Sequence, residues 1–423
     1  MMRVHVVAAS DAERDPQRKL RWGDYWLKRS LERALAAQGW EVQPALGHNT
    51  HVMMHCWGLP LERVPEWTYN VLYVHSHPAT LDRVPWGFYD RVVVASAQLA
   101  ERLRVEGVRV DAVNIGATDF VRLDVPLEHD AVFVANNRGG LRPIIAALGD
   151  LTTLPFRLEV WGEGWEMLPA GIWQGLYYPY DDLNALYASS AVVLNDTHED
   201  MRQAGIINPR VLDAEAAGAL VVEPNEADVR ATVAELVTAR HNNWREAMPR
   251  DFAGVTYSRL AHDLTAGIEA QLRFDLGCGN HKRDGFVGVD RVRLDGVDVV
   301  WDVRQGLPSN DDTVDYIVAD NLLEHIGPEF IDVMNDLHRV LKPGGRLTAI
   351  VPGVHAPAAA YADPTHVRYF VPETWDYFDG EHARWRDYGQ SYGIRPWRVL
   401  RREVRDRFIE TVMQPVKECS CAS

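Results

Sequence analysis

The strand-like run Arg273–Leu276 leads into Asp275-Leu276-Gly277-Cys278-Gly279-Asn280. Glycines at alternate positions let a backbone turn tightly and let a ligand approach the main chain. Ten residues beyond Asn280, Asp290 closes the next predicted strand. A carboxylate there can accept hydrogen bonds from both ribose hydroxyls of a nucleoside. A dinucleotide site would want Gly-x-Gly-x-x-Gly and a full helix before the acid. Here position 282 is Lys, and only residues 281–285 separate the turn from the following strand. The phosphate cradle is missing, so these residues point to a nucleoside cofactor without a pyrophosphate.

The elements that must hold such a site read as α/β. Short apolar strands alternate with amphipathic helices, which implies parallel sheets. Strands are expected at 2–9, 40–44, 51–56, 71–74, 91–95 and 112–114, with a helix over 24–39 whose Leu27, Leu31 and Leu35 share one face before Gly39. A second unit follows a hinge at 121–130, with strands at 131–135, 157–161 and 192–195 and helices at 141–147, 181–188 and 211–217. Residues 254–272 read as a helix closing that unit. A third unit opens abruptly at Arg273, with strands at 286–289, 297–301, 316–319 and 346–351. The expected domains are 1–125, 126–272 and 273–423. No flexible linker separates the last two, which predicts packed domains.

Composition excludes several functions. The 423 residues hold 44 Lys plus Arg against 60 Asp plus Glu, a formal net charge of −16. That balance repels phosphate backbones, so nucleic acid is not the expected partner. No run approaches the roughly 18 apolar residues of a membrane span, and no cleavable leader is visible. The cysteines, Cys56, Cys278, Cys419 and Cys421, form neither a disulfide framework nor an evident metal cluster. The expectation is a cytoplasmic multidomain protein.

From Phe274 to Pro352 the chain resembles a compact class I S-adenosylmethionine-dependent methyltransferase with a shortened first helix. The glycine turn is followed, in order, by Trp301-Asp302-Val303-Arg304, by Asp315-Tyr316-Ile317-Val318-Ala319-Asp320-Asn321 and Leu323-Glu324-His325, and by Leu341-Lys342-Pro343-Gly344-Gly345. The resemblance implies that Gly277 and Gly279 face the methionine part of the cofactor and Asp290 the ribose, with Asp275 a further cofactor-binding residue. It places Asp302 and Val303 at the adenine and Asp320 and Asn321 beneath the sulfonium. The later segment Asp363-Pro364-Thr365-His366 puts an imidazole near the acceptor of such enzymes, and His366 has an intrinsic pKa suited to deprotonating a hydroxyl. A structural imidazole is the equal alternative, and His325 reads as a positioning residue. Arg398, Arg401, Arg402, Arg405 and Arg407 read as a solvated helix face, with recognition of an anionic acceptor as the second option.

The first 272 residues resemble the spore-maturation-type branch of the GT-B glycosyltransferases. The resemblance is densest in Tyr187-Ala188-Ser189-Ser190-Ala191-Val192-Val193-Leu194-Asn195, Gly205-Ile206-Ile207-Asn208-Pro209-Arg210-Val211-Leu212-Asp213 and Ala217-Gly218-Ala219-Leu220. It implies two Rossmann-like units facing each other across a cleft, with a nucleotide sugar held mainly by the second. A departing nucleoside diphosphate gathers negative charge and needs donors aimed at it. Asn136-Asn137-Arg138-Gly139-Gly140, followed by Arg142, supplies backbone N–H groups and two guanidiniums. Arg210 is a further donor. Asp213 stands where related enzymes carry a ribose-binding Glu, whereas a second carboxylate eight residues earlier is replaced by Gly205. His75 and His77 are candidates for contact with sugar hydroxyls, His77 as the catalytic one, or are ordinary loop histidines. Trp161, Trp165 and Trp173 suit sugar stacking or core filling.

The expected protein is a bifunctional enzyme that transfers a sugar from a nucleotide-sugar donor and methylates a hydroxyl of the sugar or of its small-molecule or glycan acceptor. The alternative is a methyltransferase carrying an inactive, glycan-binding GT-B module.

Overall fold

The computed structural model describes residues 2–20, 22–47, 49–137, 139–243, 255–269 and 271–417. Three sheets organise the chain. The first contains β1 (Arg3–Val7), β2 (Glu41–Val42), β3 (Val52–Cys56), β4 (Tyr69–Val74), β5 (Arg91–Val94) and β6 (Ala112–Val113), in the order β2-β1-β3-β4-β5-β6 and parallel throughout. Every residue of β3 is buried, as a central parallel strand covered on both faces requires. The helix Gly23–Ala37 turns Leu27, Leu31 and Leu35 into this core.

The second sheet holds β7 (His129–Val134), β8 (Leu158–Trp161), β9 (Trp173–Gly175), β10 (Ser190–Leu194) and β11 (Leu220–Val222), again parallel, in the order β11-β10-β7-β8-β9. The strand β9 was not foreseen, because its three residues carry no alternation of their own. Trp165 fills the core beneath this sheet and donates its indole N–H to the Ala135 carbonyl.

Two expectations are corrected. The helix expected over 254–272 is confined, among the described residues, to Tyr257–Thr265, and Gly267 (φ 74°) lies beyond its end. It packs on the first unit, with Tyr257, Leu260, Ala261 and Leu264 in the core of the β1–β6 sheet, so it does not close the second. The arginine-rich stretch is a strand and no helix face: β17 (Trp397–Arg405) pairs antiparallel with β18 (Phe408–Pro415). Antiparallel pairing with β18 decides it, and the arginines pair with acids. Arg402 reaches Asp376, Arg405 reaches Glu403, and Arg401 binds both Glu66 and Glu410.

The third sheet joins β12 (Arg273–Leu276), β13 (Val287–Asp290), β14 (Val299–Val300), β15 (Val314–Asp320) and β16 (Leu341–Pro352) to that antiparallel pair, in the order β14-β13-β12-β15-β16-β18-β17. Its strands alternate between two different surroundings. Phe274, Ile317, Ala319, Leu347, Ala349, Ile409 and Met413 face a core built with the helix Phe330–Val340. The intervening residues face the first unit. There Arg273 donates to the carbonyls of Thr50 and Trp67, Arg346 pairs with Asp90 at 2.8 Å, and Val412 joins the first unit's core. Residues 277–286 form no helix, and the first unit covers the face such a helix would otherwise shield.

Candidate functional site

In open parallel sheets, ligands bind beyond the carboxyl ends of the strands where the strand order reverses. In the third sheet that point lies between β12 and β15. After β12 the chain turns through Gly277 (φ 68°) and Gly279 (φ 51°), a left-handed conformation that glycine adopts without strain. The Gly277 N–H donates to the Val289 carbonyl. A Cβ on Gly277 would meet Leu322 at 3.1 Å, whereas one on Gly279 would project into open space. Asp290, at the end of β13, accepts from the N–H groups of Gly279 (3.0 Å) and Val292 (2.9 Å). Its carboxylate is therefore fixed beside the open turn.

Other predicted residues are placed less simply. Asp275 is buried, and Arg283 takes both of its oxygens, one through its backbone N–H (2.8 Å) and one through Nη1 (2.9 Å). The Nη2 of Arg283 reaches Asp320 at 2.7 Å. Burial pushes the Asp275 carboxyl up, and the Arg283 bonds pull against it. Arg283 escaped the sequence reading. The signal was there: two acids ending neighbouring strands need a counter-charge when the core is this dry. Asn321 adopts a left-handed conformation (φ 52°) and donates its side-chain amide to Asp320. Asp302 caps a short helical turn and binds Arg304, which holds its carboxyl below the usual range. The Val303 side chain lies in the core, so only its main chain is left to face a ligand.

Beyond β15 the fold gathers Glu324, His325 and His366, whose ligating atoms lie within 4.8 Å of one another. No metal cluster is legible there in the sequence, because His366 lies far along the chain from Glu324 and His325. The His325 and His366 rings meet edge to face at 4.8 Å. Glu324 is fully buried, and burial pushes its carboxyl up to about 7.

In the second sheet the order reverses between β7 and β10. Asn137, just beyond β7, is buried; its amide donates to the Gly164 carbonyl and accepts from the Gly140 N–H, so it shapes the loop. Arg138 lies outside the described residues. Arg142 is buried and paired with Asp196 at 2.8 Å, and it also donates to the carbonyls of Asn136 and Asp196. Its guanidinium ties the two strand ends together. Glu223, after β11, accepts from Asn195, from the Thr197 hydroxyl and from the Thr197 N–H, a cluster the sequence reading missed. Arg210 stands in the first turn of the helix Pro209–Ala217, whose N-cap is Asn208. Asp213, on the same helix, accepts from the Thr118 hydroxyl at 2.6 Å, and burial pushes it up to about 7. That bond crosses between the first two units, as does the stacking of Trp26 on Tyr180 at 4.5 Å.

At Gly205 a Cβ would come within 2.9 Å of Gln98 Oε1 and Ser96 Oγ from the first unit. His75 is buried on Tyr73, its ring nitrogens unpartnered, and burial drives its pKa down to about 3. His77 is exposed in a left-handed conformation (φ 51°) with Nδ1 3.0 Å from the Ser76 hydroxyl. A cavity of about 780 Å³ beside Arg33, Asp119 and Arg122 is lined by none of these predicted substrate residues.

Residues 138–243 match the family model described as glycosyl transferase-like, and residues 284–349 match the one described as a methyltransferase domain. The chain joins a glycosyl transferase-like domain to a methyltransferase domain. Among solved structures, the chain is similar to the YcgJ protein from Bacillus subtilis at 19% identity, over 33% of this chain and 68% of that one, with a TM-score of 0.25. It is also similar to a SAM-dependent methyltransferase from Archaeoglobus fulgidus at 15% identity, over 34% and 85%, TM-score 0.25. An α-glucosyltransferase in complex with UDP and a 13-mer DNA aligns over 62% of this chain and 95% of its own at 11% identity, TM-score 0.39. No curated protein matches the sequence. Among the described residues, no helix is long and apolar enough to cross a membrane.

Proposed function

We propose that the chain transfers a sugar from a nucleotide-sugar donor at the strand ends of the first two units, and methylates a hydroxyl with S-adenosylmethionine at the third. The observation that carries the methyl-transfer half is the turn at Gly277–Gly279 with Asp290 fixed beside it. Gly279 leaves room for a ligand against the main chain, and Asp290 faces that room with a carboxylate suited to a ribose diol. Bound there, S-adenosylmethionine supplies a methyl group activated by its positive sulfur. The chain's own work is to hold the acceptor oxygen in line and to take away its proton. Asp320 and Asn321 border the turn, and the proton is lost at the cluster that contains His366.

For sugar transfer, Arg210 supplies positive charge to the leaving diphosphate, and Asp213 contacts the donor ribose once it releases Thr118. Asn137 and Arg142 act one layer back, by shaping the loop and the strand ends. His75 and His77 border the acceptor side after β4. A second reading, an inactive glycan-binding module, is favoured by one observation: the space a carboxylate-bearing side chain would need at position 205 is filled by Ser96 and Gln98. The net charge of −16 argues against nucleic acid as acceptor in either reading.

Calorimetric titration with S-adenosylhomocysteine and, separately, with UDP, GDP, ADP and dTDP tests both halves. Binding of S-adenosylhomocysteine and of one nucleoside diphosphate is expected. Binding of S-adenosylhomocysteine alone would move the first two units to the glycan-binding reading, and binding of neither would sink the proposal.

A further inference from the structure

The cluster beyond β15 contains more than one base needs. Glu324 is fully buried, and neither of its oxygens accepts a hydrogen bond from another residue. A buried carboxylate without partners is among the most costly arrangements a fold can hold. Facing it at 3.9 Å is Nε2 of His366, too far for a hydrogen bond. The other ring nitrogen, Nδ1, lies 2.9 Å from the Ala360 carbonyl. A carbonyl only accepts, so Nδ1 carries the proton and Nε2 presents a lone pair to Glu324. Two electron-pair donors thus face each other across 3.9 Å. His325 completes the set: its Nδ1 is oriented by the Thr365 hydroxyl at 3.0 Å, and the same hydroxyl donates to Asp363 at 2.6 Å. Asp363 in turn stands 3.8 Å from His366 Nε2.

We propose that Glu324, His325 and His366 bind a divalent transition-metal cation, with Zn²⁺ as the representative ion. Two imidazoles and one carboxylate form a donor set suited to such ions, and the backbone and hydroxyl bonds to the far ring nitrogens are the outer contacts that orient metal-binding histidines. The ligand atoms lie within 4.8 Å of one another, and small side-chain rotations would draw them to the roughly 3–4 Å separation of atoms bound about 2.0–2.2 Å from a common ion. His325 is partly exposed, so the ion has a way in past it, while Glu324 anchors it from within. If the methyl-transfer reading holds, a hydroxyl of the acceptor would bind the ion at an open position and lose its proton to solvent more readily there, and His366 would serve as a ligand.

The test is calorimetry with Zn²⁺ on the full chain after chelator treatment, in a Cys419→Ser, Cys421→Ser background that removes the tail thiols as competing ligands. Mg²⁺ serves as the hard-cation control. One Zn²⁺ per chain is expected, with affinity at least tenfold weaker in Glu324→Gln, in His325→Ala and in His366→Ala. Circular dichroism identifies any variant that fails to fold, and the remaining variants then decide. Co²⁺ in place of Zn²⁺ should give visible absorption that the His366→Ala chain lacks. Zinc affinity equal in the parent and all folded variants, or no saturable zinc binding, overturns the proposal. The titration needs no acceptor, so its failure leaves the methyl-transfer reading standing, and loss of S-adenosylhomocysteine binding leaves the zinc result standing.

Discussion

Asp290 combines two duties, since it pins the glycine turn through the N–H groups of Gly279 and Val292 and turns a carboxylate toward the place assigned to the ribose. Asp290→Ala is expected to weaken S-adenosylhomocysteine binding about a hundredfold, as for loss of charge-assisted hydrogen bonds worth about 1.5–3 kcal/mol each, and to leave nucleoside diphosphate binding intact. Parallel calorimetric loss of both ligands would deny that the sites are independent. Glu324 yields a prediction about pH. Without a metal, burial pushes its carboxyl up to about 7, from 4.5 for a free side chain. The folded chain therefore holds a proton there that the unfolded chain gives up at lower pH. The stability gained is complete below about 4.5 and is lost as pH rises through about 7. Glu324→Gln keeps the neutral form at every pH. In chelator-treated protein it is expected to exceed the parent in stability by on the order of 3 kcal/mol at pH 8 and to match it near pH 4.5. Urea unfolding at the two pH values checks this, and an offset that does not change with pH would contradict it.

At the scale of elements, the turn after Gln203 is fixed by its close approach to the first unit. Gly205 has φ 67°, and Ala204 and Ile206 on either side are buried in the core of the β1–β6 sheet. Gln98 also donates to the Gln203 carbonyl. Gly205→Ala meets both a strained backbone and the Ser96 hydroxyl, so a loss of about 1–2 kcal/mol is expected in chemical unfolding. A neutral result would mean that the two units part easily and that Ser96 yields its place. The helices were the most legible elements in the sequence. Leu27, Leu31 and Leu35 repeat at helical spacing, and the helix expected at 211–217 is present, although it starts earlier, at Pro209 behind the Asn208 cap. The strands β9, β17 and β18 were not legible. A three-residue strand has no period to detect. In β17 the arginines gain their meaning only from acids on other elements, Glu66, Asp376 and Glu410.

At the scale of the whole molecule, the methyltransferase domain shares one face of its sheet with the first unit. The contact is charged as well as apolar: Arg346 with Asp90, Arg63 with Glu410, and Arg401 with Glu66 and Glu410, around Trp67, Phe286 and Tyr316. Asp90→Ala would leave the Arg346 guanidinium buried without its acid, and a loss on the order of 3–5 kcal/mol is expected in urea unfolding. Cut out as residues 273–423, the methyltransferase domain would expose Val318, Val412 and this set of charges together. The fragment is expected to aggregate or to lack a cooperative transition by calorimetry. A monomeric fragment with a sharp transition would show that the contact is dispensable.

The sequence alone determined the three α/β units, the glycine turn with Asp290, and the likeness to two transferase families. Each of these is local, because a strand period, a cap, or a turn with an acid ten residues on is written within a few dozen consecutive residues. Tertiary structure decided the rest. It set the helix Tyr257–Thr265 against the first unit and put the Arg283 guanidinium on Asp320. It also turned Arg142 inward onto Asp196 and brought His366 to Glu324 and His325. In each case the deciding energy is the burial of a charge or of an apolar face against a partner distant in the chain, and no window of consecutive residues contains both sides of that contact.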